Sequence, residues 1–148
     1  RDRSVSRGLG DVYKRQLIAM GFLYHTPRSL LSYQDKRDII QFGLIHFTFS
    51  ENMSNILKDG VLPGKEALYR KEKNLCWFYI NYPEDYEKNL SIVKSKGKRS
   101  AVDCCIVIKD FSEEQLNNMR IRKESYNAVV HIGALKTSNM KGIMLENK

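Results

Sequence analysis

A short apolar strand that leads directly into a capped helix is the sequence feature that most constrains this fold. Residues 43–49 predict the strand, which carries the side chains of His46 and Thr48 near its end. A helix of about three turns follows, capped by Ser50 and ended by Gly60. This junction brings together an imidazole, a hydroxyl and free backbone amides, a combination that suits the sugar and phosphates of a nucleotide.

The same stretch resembles the opening of ADP-ribosyltransferase-like domains and is most similar to DNA ADP-ribosyltransferase toxins of the DarT type. In that family the first strand reads as an aromatic or aliphatic residue, His, a hydrophobe and Thr. An Asn-Leu-type helix follows and ends in Ile-Leu-x-x-Gly-Leu. The resemblance covers residues 43–63, and the matching residues are His46, Thr48, Asn52, Ile56, Leu57, Gly60 and Leu62.

The resemblance implies an NAD-dependent ADP-ribosyltransferase that modifies nucleic acid as a toxin or phage-defence effector. NAD would be the substrate and no metal would be required. His46 would hold the ribose of the dinucleotide, Thr48 would help to line the nicotinamide pocket, and Asn52 would belong to the same cofactor site. The implied partners besides NAD are single-stranded nucleic acid and an antitoxin or immunity protein.

The loop after this helix supplies two further candidates, Tyr69 and Arg70. The resembled toxins carry an arginine in this loop that contacts the cofactor phosphates and stabilises the reacting sugar, which implies a catalytic role for Arg70. A guanidinium suits this role because it chelates phosphate with a forked geometry and stays protonated near neutral pH. Tyr69 either stacks on nicotinamide or packs, and Arg70 is alternatively a solvated cation among neighbouring lysines.

ADP-ribosyl transfer also requires a late carboxylate, which the family places near the start of a late strand. Glu124 is the candidate, since it follows two arginines and precedes an apolar run. By register, however, the family's glutamate falls closer to Asn127, and Glu146 after the last strand is a second possibility. A displaced or absent carboxylate would favour the alternative function, a non-catalytic relative that binds nucleotide or nucleic acid.

A dense basic stretch follows the middle of the chain. Such a run is either a solvated helix end or a patch that contacts nucleic-acid phosphates. In the second case Trp77 or Tyr79 would be available for base stacking. The basic residues of this stretch are Lys94, Lys96, Lys98 and Arg99.

The first sixteen residues are set apart from the fold. Residues 11–16 resemble the translation of a transposon-end sequencing adapter, and residues 1–10 continue the same pattern. Their five basic and two acidic residues account for +3 of the net charge of +8, so much of the basicity belongs to a non-native segment. Residues 17–148 are expected to form a single domain, and the stop directly after an apolar strand is the pattern of C-terminal truncation.

Composition and element order point to an α+β fold in the cytoplasm. The chain is 42% hydrophobic and 28% charged, which is typical of globular proteins, and lacks an apolar stretch of the ~20 residues that a membrane span needs. An odd set of three cysteines suits a reducing compartment, and Cys104 and Cys105 are expected to be small core residues because no metal-ligand spacing surrounds them. Strands accumulate late, which favours α+β with a mixed, mostly antiparallel split sheet and short helices. Besides the first strand and helix, strands are predicted at 76–80, 102–108, 119–122, 128–132 and 141–145, and helices at 32–41, 83–96 and 112–118.

Overall fold

A computed structural model describes residues 29–63, 74–122 and 127–145, all of which belong to one compact unit of the chain. Four helices are present in this part of the chain: α1 Tyr33–Phe42, α2 Met53–Asp59, α3 Tyr86–Lys94 and α4 Glu113–Asn117. Seven strands accompany them: β1 Ser29–Leu30, β2 Leu44–Thr48, β3 Leu75–Ile80, β4 Cys104–Lys109, β5 Met119–Arg122, β6 Ala128–Ile132 and β7 Asn139–Met144.

The local signals for strands and helices are largely confirmed. Ser112 caps α4 and forms a reciprocal capping box with Gln115, as expected for a Ser-x-x-Gln start. The helix predicted over 83–96 is shorter than expected. It is preceded by a 3-10 turn at Pro83–Asp85, and its C-cap is Ser95, before a second 3-10 turn at Gly97–Ala101.

The strands form one sheet in the order β1-β5-β6-β3-β2-β4-β7, and all the pairings between them are antiparallel. This confirms the α+β class. The sheet opens in its middle, because β2 and β3 pair only at Leu44 with Ile80 and at Ile45 with Tyr79. By contrast, all five residues of β2 pair with β4.

Two apolar clusters cover the two faces of the sheet. The larger one contains Leu44, Phe78 and Ile106 of the sheet together with Ile39 of α1. The smaller one packs Val93 of α3 against Ile45, Phe47 and Cys105. Cys104 and Cys105 are buried free thiols, which confirms their expected place in the core, and burial raises the pKa of Cys105 to about 11. No helix in the described ranges is long and apolar enough to cross a membrane.

Candidate nucleotide-binding site

The opening between β2 and β3 begins at His46, and we call it the fork. Beyond Ile45 the two strands no longer pair, and the His46 side chain takes over the contact with β3. Its Nδ1 lies 2.9 Å from the backbone carbonyl oxygen of Trp77. Because a carbonyl only accepts, Nδ1 carries the proton and donates. A side chain therefore satisfies a strand carbonyl that the separated backbones leave unpaired.

The environment of His46 keeps its imidazole neutral. Burial is the largest influence and lowers its pKa below 6.5; the bond to Trp77 opposes this, and the positive charge of Arg99 lowers the pKa further. The ring also packs against Phe78 with centroids 5.5 Å apart. With Nδ1 donating, the neutral ring has a lone pair on Nε2, which suits it to accept a hydrogen bond from a hydroxyl.

A pocket of about 270 Å³ lies between the fork and α2. This volume is slightly below that of a typical drug-sized site and suits a sugar with an attached ring better than a whole dinucleotide. In the described part of the chain, the Thr48 hydroxyl and the polar ends of Asn52, Asn55 and Asp59 form no protein hydrogen bonds. These polar groups can therefore form hydrogen bonds with a ligand. The pocket is lined by His46, Thr48, Asn52, Asn55, Ile56, Asp59, Gly60, Val61 and Leu62.

The first residue of α2, Met53, packs its side chain onto a glycine in β7. A Cβ at Gly142 would lie 2.5 Å from the Sδ atom of Met53, so the methionine occupies the space that any other residue would fill. Gly142 pairs with Ile106, which in turn pairs with His46. The first turn of α2 is therefore anchored in the same row of the sheet as the histidine.

The far end of α2 is fixed by Gly60. This residue adopts a φ of 90°, and a Cβ there would lie 2.6 Å from the carbonyl oxygen of Leu135. The next residue, Val61, exchanges both backbone hydrogen bonds with Leu135 at 2.9 Å. Cys76 lies 3.4 Å from the Val61 carbonyl and donates to it. The glycine that the sequence predicts as a helix end thus closes one wall of the pocket.

The start of the helix differs from the expectation. Ser50 is not a cap; it is the first residue of a 3-10 turn, Ser50–Asn52, that precedes α2. Its amide and hydroxyl donate to the two carboxylate oxygens of Asp103, at 2.7 and 2.8 Å. These bonds hold the pKa of Asp103 below its usual value. The prediction that free backbone amides at this junction could bind a phosphate is therefore wrong for Ser50, because its amide already donates to the carboxylate of Asp103.

The structure brings three of the four predicted cofactor residues, His46, Thr48 and Asn52, together in one pocket. Of the basic stretch, Arg99 comes close enough to shift the pKa of both His46 and Tyr79, whereas Lys94 and Lys96 are exposed around the end of α3. The remaining predicted residues lie outside the described ones: Tyr69, Arg70, Glu124, Glu146 and the side chain of Lys98.

Two polar pocket residues, Asn55 and Asp59, were not predicted from the sequence. With Asn52 they recur at intervals of three and four residues, which places them along one face of the helix. This polar stripe was the available signal. The stripe is exposed, whereas Met53 and Ile56 on the neighbouring apolar face pack against the core.

The strand pairing shows where the chain segments that contain the two candidate carboxylates leave the sheet. The connection that contains Glu124 leaves the sheet at Arg122, which pairs with Ala128 beside Tyr79 at the closed end of the fork. Glu146 follows β7, whose last residue pairs with Cys104 opposite Thr48, at the open end. Asn127 has a φ of 60°, a left-handed conformation that asparagine tolerates well.

The described residues contain no group of three His, Cys, Asp or Glu side chains that could hold a metal ion. No protein-family model, curated protein or solved structure matches the chain. The resemblance of residues 43–63 to ADP-ribosyltransferases therefore stays a prediction.

Proposed function

We propose that this protein is an NAD-dependent ADP-ribosyltransferase whose pocket at the fork holds the ribose and nicotinamide of NAD. The observation that carries the proposal is the neutral imidazole of His46, which is fixed by the Trp77 carbonyl next to the unpartnered hydroxyl of Thr48. An acceptor nitrogen and a hydroxyl at a strand end suit the hydroxyl groups of a ribose. The amide of Asn52 adds a donor and an acceptor on the helix side of the pocket.

The proposed reaction breaks the bond between the ribose C1′ and the nicotinamide nitrogen, and the electron pair leaves with nicotinamide. The sugar carbon gains positive charge, and a nucleophile of the acceptor bonds to it and loses its proton. Catalysis of this step is mainly electrostatic, so a positioned anion has a large effect. Arg70 and one of Glu124 and Glu146 stay the predicted catalytic residues.

Calorimetric titration of NAD into the full chain tests the binding step, and heat of binding is expected. Single-turnover cleavage of NAD with a single-stranded oligonucleotide then tests the chemistry. If Glu124 is the catalytic carboxylate, Glu124→Gln is expected to lower turnover by about a hundredfold or more with NAD affinity nearly unchanged. Glu146→Gln serves as the comparison, and the reverse result would assign the role to Glu146.

A non-catalytic nucleotide-binding relative is the second candidate. One observation favours it: of the described residues that line the pocket, Asp59 alone carries a carboxylate, and it comes from the helix rather than from a late strand. Binding of NAD without any cleavage, in the presence of either DNA or RNA, would support this candidate over the transferase.

We expect this activity to belong to a toxin or phage-defence system. A nucleic-acid acceptor, an antitoxin or immunity partner and a cytoplasmic location are expected together, as for a toxin or phage-defence effector. Arg99 is the cation of the basic stretch whose charge reaches the fork, and Lys94, Lys96 and Lys98 extend the charge along the chain. Loss of acceptor modification in Lys94→Ala/Lys96→Ala, with NAD binding intact, is the expected sign of a nucleic-acid patch.

A further inference from the structure

Among the described residues, the formal charge at the edge of the pocket comes from Asp59, which the functional resemblance does not involve. Of the nine described residues that line the pocket, Asp59 alone is formally charged at neutral pH, since His46 is held neutral by burial and Arg99. The Asp59 side chain is exposed, and it has no protein partner in the described part of the chain. A carboxylate in this position repels an anionic ligand group and attracts a cationic one.

A second anion strengthens this bias. The carboxylate of Asp103 accepts hydrogen bonds from the amide and the hydroxyl of Ser50, next to the pocket. The Ser50 amide is therefore not free to donate to a phosphate of a ligand. Two cations of the described chain lie near the site: Arg99 acts on the imidazole of His46, and the Nζ atom of Lys136 donates to the backbone carbonyl of Lys58 and forms no ion pair with Asp59. The site thus has positive charge next to the histidine and a negative charge on the helix wall.

We propose that Asp59 makes the pocket select the positively charged, oxidised nicotinamide riboside group, with the ring towards Asp59 and the sugar at His46. This inference rests on the proposed function and adds the orientation and the redox form of the ligand. The oxidised ring carries one positive charge, and the reduced ring has nearly the same shape but is neutral. Shape alone would let the pocket bind both forms equally, so the difference between them measures the electrostatic contribution.

The test compares oxidised and reduced nicotinamide riboside as ligands in calorimetric titrations of the full chain. Wild type is expected to bind the oxidised form about two- to fivefold more tightly, which is the range for a solvent-accessible charge pair. Asp59→Asn should abolish this preference, because it should weaken the binding of the oxidised form and leave the binding of the reduced form unchanged. Asp59→Glu should largely retain the preference. A rise from low to high salt should reduce the preference in wild type, because solvent-accessible charges are screened.

Glu51→Gln is the matched control, since Glu51 is an exposed acid of the adjoining 3-10 turn and does not line the pocket. It should leave both affinities unchanged. Unaltered binding of the reduced form by Asp59→Asn shows that the variant is folded. If wild type bound the two forms equally, the inference about Asp59 would be overturned and the proposed function would stand. If wild type bound neither form and did not bind NAD, the proposed function itself would be overturned.

Discussion

The Nδ1 atom of His46 donates a hydrogen bond to the backbone carbonyl oxygen of Trp77 across the point where β2 and β3 separate. These residues are 31 positions apart in the chain, and their strands do not pair at this level. The bond fixes the tautomer of the ring, so a structural contact also determines which nitrogen is left for a ligand.

His46→Ala is expected to lower NAD affinity about tenfold, the effect of losing one hydrogen bond to the ligand. His131→Ala is the matched control because its Nδ1 also lies 2.9 Å from a backbone carbonyl, that of Gly133, but it does not line the pocket. The control should lower the melting temperature without changing affinity. Calorimetry and thermal denaturation of both variants separate the two roles, and equal loss of affinity in both would contradict a ligand role for His46.

The pKa of His46 lies below its unfolded value of 6.5. At pH values between the folded pKa and the unfolded pKa, the imidazole binds a proton in the unfolded chain but not in the folded chain. The contribution of His46 to the free energy of unfolding is therefore constant above pH 6.5, falls as the pH is lowered through the interval, and levels off below the folded pKa. NAD affinity should persist below pH 6.5. Proton NMR titration of the imidazole checks the pKa, and a midpoint above 6.5 would contradict the prediction.

Gly60 and Gly133 provide a matched pair, since their φ angles are 90° and 88°. A Cβ at Gly133 has no atom within 4 Å, whereas one at Gly60 would meet the Leu135 carbonyl oxygen at 2.6 Å. Gly133→Ala should cost only the left-handed backbone strain of about 1–2 kcal/mol. Gly60→Ala should cost about 1–3 kcal/mol more because backbone atoms must move. Urea denaturation measures both, and equal losses would show that the wall of the pocket yields easily.

Asp103→Asn is expected to loosen the start of the α2 segment, because the carboxylate accepts from both the amide and the hydroxyl of Ser50. The pKa of Asp103 is lowered in the fold, so this stabilisation is present above the unfolded pKa and is lost as the pH falls through the folded pKa. The melting temperature of the variant should therefore differ from wild type at neutral pH and converge with it in acid. Glu114→Gln, at an exposed acid of α4, should show no such convergence.

Deletion of residues 1–16 should leave the melting temperature and NAD binding unchanged, because the sequence of this segment resembles an adapter translation and shows no periodicity that links it to the core. Thermal denaturation of the shortened chain is the measurement. A large drop would show that the segment is native and packed.

Local sequence signals were sufficient for most elements and for part of the pocket. Alternation and apolar runs located β2 to β7, because strands form where side chains can be buried on a pleated surface. His46 and Thr48 lie on one such strand, and Gly60 marks the end of α2 through its backbone conformation. The polar stripe of Asn55 and Asp59 was equally local and could have been found from helical spacing.

The sequence by itself therefore determined the class of fold, the strand that carries His46 and Thr48, and the glycine that closes the pocket. Only the tertiary structure decided that β3 lies beside β2 yet separates from it after two pairs, which creates the fork. It also decided that Asp103, 53 residues from Ser50, occupies the start of the helix segment. The physical reason is that periodicity and capping are encoded within a few neighbouring residues. Strand order and contacts between distant side chains depend instead on how the whole core packs.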